Sequence, residues 1–383
     1  MADVRDDLRR LEVGLAAAQR VLGSDHPDTL AAMNNLAATL SDHGDLGRAR
    51  ELQEHVVAAR QRLLGPDHPD TLAAMNNLAA TLSDQGDLTQ AQELQEHVLD
   101  GRRRVLGENH PDTLAAMNNL AYTLQALGDL SGARELQKQV VATAPRVLGP
   151  DHPDTLAAMN NLATVLRYQG HLAEAEAEYR AILELQRQVL GDNHPDTLST
   201  RHNLAWLLQT RGRLDEAETE YRAILELQRQ VLGDNHPDTL GIRHNLASLL
   251  QARGHLDEAE AEYRSVLDLR RRVLGPDHPD TAQSLSNLAL VLRDQGDLDI
   301  TRTLLERALA IRQAHLGADH PTTAWTLSNL AGVLRDQGDL DRARTLHERA
   351  LAIFEARLGP DHPDTVRSRQ WLAAVVAALE NHG

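Results

Sequence analysis

Apolar residues along this chain recur at helical rather than strand spacing. Over residues 27–43 they fall at Leu30, Met33, Leu36, Ala37 and Leu40, which places them on one face of a helix. Pro27 suits a first helical position, where its missing N–H costs nothing. Asp28 sets a negative charge at the positive end of the helix dipole. Gly44 supplies the permissive backbone that ends the helix. A second helix is predicted from about Asp45 to Leu64, with Leu46, Ala49, Leu52, Val56 and Leu63 as its apolar stripe. The small Ala37 and Ala49 let the two helices approach closely, and Gly65 closes the unit. No strand pattern appears anywhere.

That unit is copied along the whole chain. His-Pro occurs at His26, His68, His110, His152, His194, His236, His278, His320 and His362, always 42 residues apart. The turn glycine recurs in register from Gly44 to Gly338, and the first-helix alanine from Ala37 to Ala373. The spacing predicts one uninterrupted body over 1–383. It comprises an N-terminal half-repeat (1–22), eight 42-residue repeats (23–358) and a capping helix (359–383), eighteen helices with no linker.

The pattern LGPDHPDTL…NNLA…L…GDL…A resembles the tetratricopeptide repeat in its 42-residue, kinesin-light-chain-type form. Leu36, Ala37, Gly44 and Ala49 match that family's signature positions in the first repeat. The same columns match in the other seven full repeats, except that Thr301 replaces the second-helix alanine. The resemblance implies an all-α, right-handed superhelical solenoid of tetratricopeptide helix-turn-helix repeats, with first helices lining a concave groove. It also implies a non-enzymatic scaffold that binds a protein or peptide segment in that groove.

Two second helices carry irregularities. Pro145 is predicted to bend or shorten its helix near Ala144, because an internal proline removes a helical hydrogen bond. Gly101 occupies the equivalent region one repeat earlier.

Composition narrows the function. Thirty-nine basic residues against 56 acidic ones give a net charge of −17, which argues against nucleic acid as partner. Nine aromatic residues (three Trp, five Tyr, one Phe) are too few for several ordinary cores. The absence of cysteine rules out thiolate zinc sites and cysteine nucleophiles. No apolar run approaches the ~18 residues of a membrane span, and the start MADVRDDLRR lacks a secretory pattern. A cytoplasmic protein with no membrane partner is therefore expected. Arginine outnumbers lysine 38 to 1, as in GC-rich bacterial genomes. Val375, Val376 and Leu379 on the last helix leave self-association through terminal helices open.

No metal or cofactor is expected. Copies of the histidine lie a repeat apart, far beyond the ~2 Å bonds of a shared zinc, and each begins a helix. Phosphate loops and nucleophile elbows are missing from the sequence.

Candidate binding residues come from columns of the repeat. In families resembling this one, the first-helix asparagine bonds the backbone of a bound peptide, and an amide suits that task because it donates and accepts. Bonding between neighbouring helices is the other role open to it. Repeats one to three read Met-Asn-Asn where repeats five and six read Arg-His-Asn. The expected centre is therefore repeats four to six: Asn161 and Tyr168, then Arg201, His202, Asn203, Trp206 and Arg211, then Arg243, His244 and Asn245. Arg201, Arg211 and Arg243 would favour an acidic segment. Two rival functions remain at this stage. One is a regulatory or sensor component of a bacterial signalling system. The other is an enzyme using the Arg-His-Asn clusters for acid–base work on an anionic substrate.

Overall fold

Every first helix starts on a histidine that caps it. At His26 the backbone is extended, and Nδ1 accepts the backbone N–H of Asp28 at 3.2 Å. The same bond, at 3.0–3.3 Å, recurs at the other eight His-Pro positions. One of the orphan N–H groups at each helix start is thereby satisfied. The repeated histidine has the local structural role its position suggested.

The computed structural model describes the backbone of residues 2–382 and the side chains of residues 7–380. Among them are eighteen α-helices and no strand. First helices are α2 (Pro27–Asp42), α4 (Pro69–Asp84), α6 (Pro111–Ala126), α8 (Pro153–Tyr168), α10 (Pro195–Thr210), α12 (Pro237–Ala252), α14 (Pro279–Asp294), α16 (Pro321–Asp336) and α18 (Pro363–His382). Second helices are α1 (Ala2–Leu22), α3 (Leu46–Leu64), α5 (Leu88–Leu106), α7 (Leu130–Val147), α9 (Leu172–Val189), α11 (Leu214–Leu232), α13 (Leu256–Val273), α15 (Leu298–His315) and α17 (Leu340–Leu358). Gly44, at φ +79°, turns α2 into α3 in the left-handed region that favours glycine. Contacts divide the chain into two compact units, residues 1–133 and 134–383, with the division inside α7.

In the first unit, Leu36, Ala37, Ala49 and Val56 are fully buried between α2 and α3, and the same columns repeat at Leu78, Ala79, Ala91 and Val98. Gly101 lies within α5. It is buried, and a Cβ there would stand 2.8 Å from Cδ2 of Leu72, so glycine permits a close approach of α5 to α4.

In the second unit the core runs from Ala163 to Ile311, with Tyr179, Tyr221 and Tyr263 as its largest side chains. These tyrosines occupy the second-helix column that holds Gln53, Gln95 and Gln137 in repeats one to three. Their hydroxyls differ. Tyr179 shares a 2.8 Å hydrogen bond with Thr164 Oγ1, while the buried hydroxyl of Tyr221 has no partner. Tyr179→Phe should therefore cost about 1 kcal/mol, while Tyr221→Phe should be neutral or stabilising by up to ~1 kcal/mol. Urea denaturation of the two variants compares them directly.

The shortening expected at Pro145 is absent. α7 continues through it to Val147 and matches the length of α9, 18 residues each. The proline sits in the last turn, where Leu148 N–H still reaches the Ala144 carbonyl at 2.8 Å. Thr301, in place of the second-helix alanine, is tolerated in full burial because its hydroxyl lies 2.7 Å from the Asp297 carbonyl and 3.2 Å from that of Ala289. On α18, Val375 is buried and Leu379 packs beside it, leaving Val376 as the exposed member of that set.

Residues 178–198 and 220–240 are identical in sequence, and they fold alike. Arg187 pairs with Asp192 at 2.9 Å as Arg229 does with Asp234 at 2.8 Å. Gln188 donates to Glu184 at 3.0 Å and Gln230 to Glu226 at 2.9 Å.

Candidate functional site

The first helices of repeats four to seven are stitched by their recurrent asparagines. Asn203 Nδ2 on α10 donates to Asn160 Oδ1 on α8 at 3.2 Å. Asn245 Nδ2 on α12 faces His202 Nε2 at 2.7 Å, and Asn287 Nδ2 on α14 faces His244 Nε2 at 2.6 Å. The first unit has the same rung, with Asn119 donating to Asn76 at 2.8 Å. The amide donors of Asn203 and Asn245 are thus engaged between repeats. Asn161 is half-buried on α8.

Both site histidines lie over a core tyrosine. His202 and Tyr221 have ring centroids 6.0 Å apart, and His244 meets Tyr263 edge-on at 5.2 Å. Burial, with the nearby Arg167 cation, holds the His202 pKa below its ordinary value. Burial likewise lowers His244, to about 4, with Arg270 adding to the effect. Both imidazoles are therefore neutral at pH 7, as their accepting Nε2 atoms require.

The arginines are placed otherwise than expected. Arg201, 7% exposed, holds Glu220 Oε2 through Nε at 3.0 Å and Nη2 at 2.9 Å. Arg243 repeats this with Glu262 at 3.1 and 2.8 Å, and Nη2 also reaches Ser265 Oγ at 2.8 Å. Arg211 pairs with Glu176. Burial works to raise the Glu176 carboxyl, but hydrogen bonds from Arg213 and Arg180 outweigh it and hold the pKa below the usual range. The acidic segment expected from the sequence thus meets no uncommitted guanidinium at 201, 211 or 243. Their charge is consumed inside the fold because Arg201 and Arg243 each face a second-helix glutamate across their own hairpin, and Arg211, just past α10, faces one of the preceding hairpin.

What faces outward is aromatic. Tyr168 is 51% exposed and Trp206 39% exposed, and the Arg167 guanidinium lies 3.6 Å from the Trp206 ring centroid and 4.4 Å from that of Tyr168. This group of two rings about a cation spans α8 and α10 and forms an exposed aromatic platform. Arg167 completes it, a residue whose sequence signal was only its place beside Tyr168.

Beside the platform lies a part-open pocket of about 450 Å³ between the N-terminal halves of α10 and α12, floored by the end of α11. His202 and Asn245 line it, together with Ser199 and Gly241. No group of three His, Asp or Glu residues among those described converges to hold a metal. No described helix is long and apolar enough to cross a membrane.

Family comparison agrees with this architecture. Models described as tetratricopeptide repeat match residues 29–70, and then overlapping segments (70–146, 118–185, 154–222, 207–269, 238–314, 280–356 and 322–383) to the end of the chain. The chain belongs to the tetratricopeptide repeat family. Its repeats form an all-α tetratricopeptide solenoid, a fold that is typically a non-catalytic scaffold for protein interaction. Similar solved structures include a Podosopora anserina kinesin-light-chain-like protein with nearly identical TPR-like repeats. It is 32% identical over 54% of this chain and 98% of its own, with a TM-score of 0.47. BtubC (BKLC) from P. vanneervenii is 25% identical over 62% of this tetratricopeptide chain and 93% of its own, with a TM-score of 0.46. The apo form of RapI shares the fold at 10% identity, covering 79% of this chain and 99% of its own, with a TM-score of 0.52. No curated protein matches significantly.

Proposed function

We propose that this tetratricopeptide chain is a non-enzymatic scaffold that binds an extended peptide segment along the first-helix face of repeats four to six. The exposed Tyr168–Arg167–Trp206 stack carries this reading. Exposed aromatic rings near a pocket are the usual anchors of binding energy. Recognition then rests on the platform and the neighbouring pocket. The asparagine rungs hold adjacent first helices in register and so keep both in place. Arg201 and Arg243 set the hairpins behind them.

The acid–base alternative draws no support from the histidines, whose Nε2 atoms face the asparagine amides of the next repeat.

Peptides selected from a random library on the intact chain test the proposal. Trp206→Ala should weaken them at least about tenfold, the typical loss when an aromatic anchor is truncated, with helicity unchanged. Affinity measured by fluorescence anisotropy that is indifferent to both Trp206→Ala and Tyr168→Ala would remove the platform from the site.

A further inference from the structure

One second-helix column shows what belongs in the pocket. Arg60 Nη1 donates to the Asp70 carbonyl at 2.9 Å, and Arg102 Nη1 to the Asp112 carbonyl at 2.7 Å. Arg270, in the same column of repeat six, donates to the Asp280 carbonyl at 3.1 Å and to Ser284 Oγ at 2.9 Å. Arg312 in repeat seven bonds Thr326 and, at 2.6 Å, Gln283 Oε1. In repeats one, two and six the chain fits its own guanidinium under the first turn of the next first helix, and in repeat seven the guanidinium bridges α14 and α16. Repeat five does neither, because the column there holds Gln228.

Gln186 in repeat four also leaves a buried Oε1 without a partner, but in repeat five that oxygen lines a cavity. Gln228 is only 7% exposed, lines the pocket, and its Oε1 has no partner. Ten residues on stands Asp238, counterpart of the aspartates whose carbonyls receive Arg60, Arg102 and Arg270. The hydroxyl of Ser284 is replaced here by Ile242, and Gln283 by Gly241, where an added Cβ would meet nothing within 4 Å. A glycine inside a helix is less favourable than alanine, and here its effect is to open the cavity. Among described residues the lining has one carboxylate, Asp238, and no arginine or lysine.

We propose that this pocket receives the guanidinium group of an arginine side chain from the bound segment, an inference that rests on the peptide-binding reading above. Of the two acceptors that hold Arg270, the Asp280 carbonyl has its counterpart at Asp238 without the arginine, and the buried Gln228 oxygen needs a donor. Leu198, Leu232 and Ile242 offer apolar wall to the side chain's methylene stem. A planar five-donor fork fits this set better than the compact ammonium of lysine. The net charge of −17 favours the approach of a cation.

The test uses N-acetyl-arginine methylamide titrated into the full chain, followed by calorimetry and amide NMR shifts. Saturable one-to-one binding is expected, with the neutral citrulline counterpart at least about tenfold weaker because charge-assisted hydrogen bonds are lost. Gln228→Arg, which supplies the plug of repeat six, should abolish binding. Gly241→Phe, which fills the open space beside Gly241 with a ring that accepts no hydrogen bond from a guanidinium, should block it by a second route should the first variant fail to fold by circular dichroism. Gln186→Arg in repeat four is the control and should leave binding intact. No saturation, equal affinity for the citrulline probe, or binding that survives both blocking substitutions would overturn the inference. Arginine binding with library peptides indifferent to Trp206 would leave the pocket standing and defeat the peptide platform. Trp206-dependent peptides with no arginine binding would defeat the pocket alone.

Discussion

Replacing Glu220 by leucine should destabilise the chain by about 3 kcal/mol, because it strands the buried Arg201 guanidinium without its partner. Both atoms that hold the carboxylate lie within 3.0 Å of it, and Arg201 has little access to water. The double change Arg201→Met with Glu220→Leu should restore wild-type stability or exceed it. That pair is the native solution elsewhere in this chain: Met33 with Leu52, Met75 with Leu94 and Met117 with Leu136 hold the same two columns in repeats one to three. Well-packed apolar replacements of buried ion pairs are often neutral or stabilising by about 1–4 kcal/mol. A double-mutant cycle by chemical denaturation measures the coupling. A Glu220→Leu variant as stable as wild type would show that Arg201 reaches water in solution.

Acid should weaken the fold before its carboxylates titrate. His244 and His347 both have pKa values lowered to about 4, chiefly by burial. An unfolded chain returns them to about 6.5. Above that pH both states hold them neutral, and the stability tied to the neutral rings is fully present. As pH falls from about 6.5 towards 4 the unfolded state binds protons that the folded state refuses, so stability drops by up to about 1.4 kcal/mol per pH unit for each ring. Below about 4 this contribution levels off. His202 is shifted in the same direction. His347→Leu imports the residue of repeat seven, the fully buried Leu305, and should remove about one proton from the slope. His244→Asn, which imports the residue found at Asn160, should do the same while keeping a group for Asn287. Denaturation curves between pH 4 and 8 check both. A slope unchanged in the two variants would mean the rings are hydrated in the folded state.

The repeat, the helix faces, the histidine caps and the turn glycines were legible because each depends on residues close in sequence. The site was legible only in part. Trp206 and Tyr168 are exposed, while the fate of Arg201 and Arg243 depended on glutamates 19 residues away across a hairpin. A signal for that pairing lay in the sequence. Methionine becomes arginine in the first-helix column of repeats five and six, while the second-helix column holds glutamate rather than leucine. Comparing columns in pairs rather than singly exposes it. The asparagines offered two compatible roles, and only the folded chain shows their amides meeting the preceding repeat. Pro145 forgoes the bond its own N–H would make, but α7 is not shortened because the proline falls in the last turn, where little helix remains to break.

The identical stretches 178–198 and 220–240 have a consequence for heredity. Two DNA segments encoding the same run invite unequal crossing-over, and an exchange inside it removes or adds one 42-residue repeat without altering either junction. Every local contact of that connection, including the Arg187–Asp192 type of pair, is re-formed in the product. Array length can therefore drift between close relatives while the reading frame and the packing survive. Such a deletion would set repeat six directly after repeat four, carrying Gly241 with it but discarding Trp206. Variants of different length made this way would differ in the side chains their first helices display.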